Sequence, residues 1–162
     1  GHEIAVHGLT HRAPVDMTEE EMDQEFLTDI DNITRIYGQK PVGMAYAYGA
    51  YDQAAVDYLQ RHGIKYGRTA EATHGFAVPE NPILLKATCH HDDEQLFELA
   101  QQFLESEPAP GEQQLFYIWG HSYEYYVKDN WDRLEKLCRM FADRRDIFRG
   151  TNRECLEMFG AI

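Results

Sequence analysis

The chain has little of what disulfide scaffolds, membrane spans and nucleic-acid binders require. Only three of its 162 residues are cysteine, an odd number. Cys89, Cys138 and Cys155 form no CxxC pair, and a domain near this length buries roughly 70% of its unfolded surface without covalent staples. A reduced, cytoplasmic setting is the expectation. No stretch approaches the roughly 20 consecutive apolar residues of a membrane helix. Basic residues are scarce too, with Lys+Arg 15 against Asp+Glu 28 and a formal net charge of -13. Such a surface repels phosphate backbones and anionic headgroups, so nucleic acid and membrane surfaces are poor partners. The sequence opens on Gly1 without an initiator methionine and enters an apolar run at once. That beginning reads as a fragment or processed product, and it leaves the question of a signal peptide open.

What is present is an alternation of strand and helix patterns. Ile4 to Val6 reads as a short strand that His7 ends, because Gly8 and Pro14 argue against helix beyond it. Thr18-Glu19-Glu20-Glu21 is a capping box, followed by Met22, Phe26, Ile30, Ile33 and Tyr37 at helical spacing until Gly38. Strands are predicted over 41–48, 64–69, 83–88, 114–119 and 146–148. Helices are predicted over 52–62, 92–105 and 130–142, with a last one opening at the capping box Thr151-Asn152-Arg153-Glu154. This rhythm predicts one α/β domain over residues 1–162, with parallel strands and outer helices in a barrel or an open layer. The loops leaving the C-terminal strand ends gather chemistry in such folds. His7, Tyr48, Thr69, His90 and His121 are predicted at or just after those ends.

Several of these residues carry chemistry. His7 and His11 sit four apart in "GHEIAVHGLTH", where Gly8 rules out the usual helical metal pair and a loop must curl to join the imidazoles. They are either two metal ligands in need of a third, since catalytic zinc sites take three protein ligands, or two surface histidines. His2-Glu3 is not the start of an HExxH zinc motif, because the next histidine falls one position too far and the segment is extended. His121, in "LFYIWGHSYEY", follows an apolar strand; it suits a general acid or base or a loop histidine bonded to backbone. Tyr123, Tyr125 and Tyr126 offer the flat faces and polar tips that carbohydrate takes, or are core and rim aromatics. In "ATCHHDDEQL" the Cys89-His90-His91 run could contribute one or two ligands to an ion, because adjacent side chains point apart on an extended segment. Helix capping by Asp92 or Asp93 explains much of that run equally well. Cys89 as a nucleophile is the third option, with its thiol near a helix N-terminus.

Together these residues resemble the polysaccharide deacetylase (NodB homology) family, carbohydrate esterase family four. "GHEIAVHGLTH" is similar to the family's second motif, H-(S/T)-x-x-H. "GMAYAYGAYD" followed by "GIKYGRT" resembles the third, R-x-P-Y-G, and "FYIWGH" the last, a strand ending in Leu-x-His. The resemblance implies an incomplete (β/α) barrel whose first strands, with the Asp-Asp-Gly motif that supplies the base and the third ligand, precede Gly1.

It further implies that His7 and His11 ligate a divalent metal, zinc by default, and that His121 is the general acid. Tyr48 would donate its backbone N–H to the oxyanion; His90 and His91, by their predicted place at a strand end, and Tyr123 are expected to contact substrate. The implied activity is metal-dependent removal of acetyl groups from N-acetylated sugars, with this chain inactive alone. Hydrolysis of small linear or cyclic amides on the same fold, or non-catalytic carbohydrate binding, are the alternatives. An uncovered sheet edge would favour a homo-oligomer. Gly8 in place of Ser/Thr, Ala45 in place of arginine and Ala47 in place of proline mark a divergent branch.

Overall fold

The computed structural model describes residues 1–162. Two compact units divide the chain: Gly1–Ala70 with Pro79–Lys86 and Gly150–Ile162 form the first, and Glu71–Val78 with Ala87–Arg149 form the second. No helix is long and apolar enough to cross a membrane.

In the first unit Thr18 caps α1 (Glu19–Met22), its hydroxyl accepting from Glu21 N–H while the Glu21 carboxylate accepts from Thr18 N–H. The expected single helix then widens into a π-helical turn over Asp23–Leu27 before α2 (Thr28–Tyr37) resumes. Gly38 stops it at φ 74. Met22, Phe26 and Ile30 point into the core as their spacing predicts, but Tyr37 is exposed. The stripe ends before the helix does.

The strands of this unit are shorter than the apolar runs predict. Ile4 to Val6 makes only a single parallel bridge, Val6 to Met44. β1 is Gly43–Ala45, and it pairs in parallel with β2 (Tyr66–Ala72), Gly43 opposite Tyr66. Parallel neighbours need a crossover, supplied by α3 (Gln53–Arg61), which Asp52 caps through Ala55 N–H at 2.8 Å and which buries Ala55, Val56, Tyr58 and Leu59. Thr69 lies inside β2 and is fully buried, not at a strand end. A 3-10 turn over Pro82–Leu84 leads into β3 (Leu85–Ala87), and the order of this sheet is β1-β2-β3. The core beside it gathers Val6, Phe26, Met44, Tyr46, Tyr58 and Leu59. Tyr46 is buried because its hydroxyl donates to Ile83 O at 2.9 Å, which satisfies the one polar atom of the ring.

The second unit repeats the logic on a smaller scale. β4 (Cys89–His90) pairs in parallel with β5 (Ile118–Trp119), and α4 (Leu96–Glu105) makes the crossover. α4 starts at Leu96, four residues later than its charge pattern predicts. Asp93 instead closes the preceding turn, its carboxylate accepting from Gln95 N–H at 2.9 Å. α5 (Ser122–Val127) was not legible as a helix, whereas α6 (Trp131–Phe141) follows its predicted span. Leu96, Leu99, Ala100 and Leu137 form the core with Phe76, Phe116 and Phe141 packed against it. The predicted strand 146–148 does not form. Arg144 folds that stretch into a turn instead, holding Asp146 at 2.6 Å and Leu104 O at 2.7 Å. α7 (Asn152–Met158), belonging to the first unit, begins at the predicted capping box.

The fold is α/β with parallel pairing, as expected. Its strands lie in one three-stranded and one two-stranded sheet, so the hydrogen-bond ladder does not run on around a barrel.

Phe26 is 0% exposed at the centre of the first core. Phe26→Ala is expected to destabilise that unit by about 3–5 kcal/mol, read as a lowered urea midpoint with an unchanged m-value.

Candidate functional site

The loop carrying His7 and His11 is shaped by two carboxylates on the π-turn and α2. Asp29 Oδ2 accepts the N–H groups of His7 and Gly8, both at 3.0 Å. Glu25, 5% exposed, accepts Thr10 N–H at 2.9 Å, Arg12 N–H at 3.1 Å and the Thr10 hydroxyl at 2.7 Å. Burial raises the Glu25 pKa, but the Thr10 and Arg12 bonds outweigh it and hold the carboxyl below its ordinary value. A side chain at Gly8 has no room: φ is +88, and a Cβ would lie 2.6 Å from Glu25 Oε1. That close approach accounts for glycine where the resembled motif carries Ser or Thr.

With the backbone N–H groups tied down, the two imidazoles come together. Their ring centroids lie 4.7 Å apart, edge to face, which the four-residue spacing achieves by placing His11 in the left-handed region at φ 60. A non-glycine residue held there is a strained feature typical of functional loops. His7 Nδ1 lies 2.7 Å from Ala45 O. A carbonyl only accepts, so Nδ1 donates there, which leaves Nε2 as the nitrogen available to a metal. Tyr48 packs its ring on His11 at 4.7 Å. It too is left-handed at φ 58, in a turn whose internal bonds use Gly49 and Ala50 N–H.

A second cluster lies in the second unit. His91 Nε2 is 2.7 Å from Glu124 Oε2, His121 Nδ1 is 3.1 Å from the same oxygen, and His90 Nε2 is 3.3 Å from it. His121 N–H donates to that oxygen as well, at 3.1 Å. Burial pushes the Glu124 pKa up, yet bonding to His91 and His121 wins and the carboxyl is lowered to about 2. His90 is lowered, by burial first and then by neighbouring His91. His91 is 2% exposed, whereas Tyr123 is 62% exposed. The adjacent His90 and His91 thus reach one acceptor together, the upper limit of what an extended segment allows. Cys89 is fully buried and burial raises its thiol to about 11, so it is not an activated nucleophile.

Residues 1–67 match the family model described as polysaccharide deacetylase. This stretch is similar to polysaccharide deacetylases. Over 66 residues the chain is 29% identical to a peptidoglycan deacetylase of Helicobacter pylori (strain ATCC 700392 / 26695). The alignment covers 41% of this chain and 22% of that relative, so the chain spans well under two thirds of the protein it resembles. The matched residues include His7, His11 and Tyr48 but end before His90, His91, His121 and Glu124.

Sequence reasoning named every histidine of both clusters but assigned no role to Glu25, Asp29 or Glu124. A signal existed for the first two. Met22, Glu25, Phe26, Asp29 and Ile30 sit at i, i+3, i+4, i+7 and i+8, so both acidic residues occupy the core-facing stripe of an amphipathic helix. Carboxylates there need partners.

Because the folded pKa of Glu25 is depressed, its contribution to stability is present above the ordinary value of 4.5 and is lost as pH falls through the lower folded value. Wild type is expected to be more stable than Glu25→Gln at neutral pH, with the difference shrinking below pH 4.5. Chemical denaturation of both proteins from pH 7 to pH 3 measures it; a constant difference would contradict the assignment.

Proposed function

We propose that this chain is part of a metal-dependent hydrolase that removes acetyl groups from N-acetylated sugars. The observation that carries the reading is the His7–His11 pair within the deacetylase segment, brought edge to face at 4.7 Å with the His7 Nδ1 proton committed to Ala45 O. The donor set fits a divalent metal, zinc by preference: two imidazoles, one of fixed tautomer, on a loop whose backbone is already satisfied. A zinc ion held there would polarise an amide carbonyl and lower the pKa of a bound water. His7 and His11 are the ligands this chain contributes. Two donors fall short of the three that catalytic zinc centres use, so turnover by this chain alone is expected to be weak and metal binding is the sharper readout.

The remaining roles follow from the family resemblance and from each residue's surroundings. Tyr48, whose N–H lies outside the internal bonds of its turn, is assigned the donor to the developing oxyanion. His121 is assigned the proton for the leaving amine, a step an amide needs because its unprotonated nitrogen leaves poorly. Glu124, bonded to His121 Nδ1 at 3.1 Å, would stabilise the imidazolium and direct Nε2 outward. Each unit exposes tyrosines, Tyr48 in the first and Tyr123 and Tyr126 in the second, and they favour a carbohydrate over a small amide, since flat faces with polar tips match a sugar ring.

The test is zinc binding, measured by competition with a chelating dye on the wild type, His7→Ala and His11→Ala. Each substitution is expected to remove one bound equivalent with the circular dichroism unchanged. Equal stoichiometry and affinity in all three proteins would sink the assignment.

A further inference from the structure

The residues that match the deacetylase model end before the second unit's histidines, and hydrogen bonding accounts for only part of their arrangement. Four nitrogens crowd one carboxylate oxygen: His91 Nε2 at 2.7 Å, His121 Nδ1 and N at 3.1 Å, and His90 Nε2 at 3.3 Å from Glu124 Oε2. Three of these are hydrogen bonds, from His91 Nε2, His121 Nδ1 and His121 N–H, already more than the oxygen's two lone pairs, and His90 Nε2 stands as a fourth neighbour beyond them. Imidazole nitrogens and a carboxylate oxygen are instead the donors that zinc and its transition-metal neighbours take. Donor atoms of His90, His91 and Glu124 all lie within 4.8 Å of one another. Two ligands at about 2.1 Å on a tetrahedral zinc stand about 3.4 Å apart, so small side-chain movements close the site.

The surroundings fix the rings rather than satisfy them. His91 Nδ1 is buried without a hydrogen-bond partner, which costs stability and leaves Nε2 as the only polar outlet of a ring that is 2% exposed. Tyr125 covers that ring with centroids 4.2 Å apart. On another side Gly120 makes room for it, since a Cβ there would fall 1.9 Å from His91 Cδ2. The backbone is held as firmly: Arg133 Nε donates to His91 O at 2.9 Å, and His91 N–H donates to Trp119 O at 2.8 Å. His90 makes one competing contact, Nδ1 accepting Asp92 N–H at 3.2 Å. Metal at His90 Nε2 would place the remaining ring proton on Nδ1 and release that long bond.

We propose that His90, His91 and Glu124 form a divalent transition-metal site within the second unit, from donors other than His7 and His11. Three protein ligands leave a position for water or a ligand atom, with His121 beside it.

The experiment uses the full chain carrying His7→Ala and His11→Ala, stripped with a chelator and titrated with cobalt(II) by visible absorption and with zinc by calorimetry. One equivalent is expected to bind, with cobalt bands of tetrahedral intensity. Adding Glu124→Gln, which keeps the side-chain volume, or His90→Ala, at a partly exposed position, is expected to weaken binding at least tenfold without changing the circular dichroism. Absence of saturable binding by the doubly substituted chain would overturn the proposal, as would parental affinity in either added variant. Neither result bears on zinc held by His7 and His11, so the two sites stand or fall apart.

Discussion

The first histidine cluster depends on two acidic side chains taking up the backbone of the loop beside them. His7, Gly8, Thr10 and Arg12 donate their N–H groups to the carboxylates of Asp29 and Glu25, and Leu9 donates to the Glu25 carbonyl at 3.0 Å. A loop of this shape has no strand or helix of its own to satisfy those donors. The carboxylates take them up and set the path of the chain. Only with that path fixed do the left-handed conformation of His11 and the approach of the two imidazoles become affordable. The π-turn contributes here, because Glu25 and Phe26 are both buried on it. π-Turns inside α-helices recur at functional sites for this kind of reason: an inserted residue re-aims a side chain without ending the helix.

Much of the fold was legible where local physics is strong. Capping boxes at Thr18 and Thr151, the Asp52 cap and the Gly38 stop all occur as their residues predict, because each is a short-range exchange of hydrogen bonds between neighbours in sequence. Strand extents were less legible. Ile4 to Val6 and Gln114 to Trp119 are apolar enough for strands, yet regular pairing needs a partner along the whole run, and that is a tertiary property. α5 was hidden because Ser122 to Val127 is rich in aromatic and β-branched residues, whose helix propensity is low. The late start of α4 has the opposite cause: Asp92 turns to Lys128 and Asp93 to His74 and Gln95, so long-range ion pairing takes the side chains that would otherwise cap the helix.

The candidate site shows the same division. Histidines stand out in a sequence by their chemistry, and all of the important ones could be named from it. The carboxylates that organise them could not be, since Glu25, Asp29 and Glu124 are three among 28 acidic residues and differ from the rest only in what they touch. For Glu25 and Asp29 the helical stripe carries a hint. For Glu124 the i, i+3 relation to His121 is that of an ordinary helix cap, and its contacts with His90 and His91, more than thirty residues away, leave no local trace.

The two clusters use a carboxylate in opposite ways, and the difference bears on what each can do. In the first, Asp29 and Glu25 spend their oxygens on peptide N–H groups, so the imidazole nitrogens are not consumed by ion pairing and His7 Nε2 stays available. In the second, Glu124 takes the imidazole nitrogens themselves. Burial raises its carboxyl, yet the bonds to His91 and His121 hold it at about 2, so it faces the rings as an anion able to draw a cation between them. The ring of His91, covered by Tyr125 and fitted against Gly120, keeps Nε2 aimed at that oxygen.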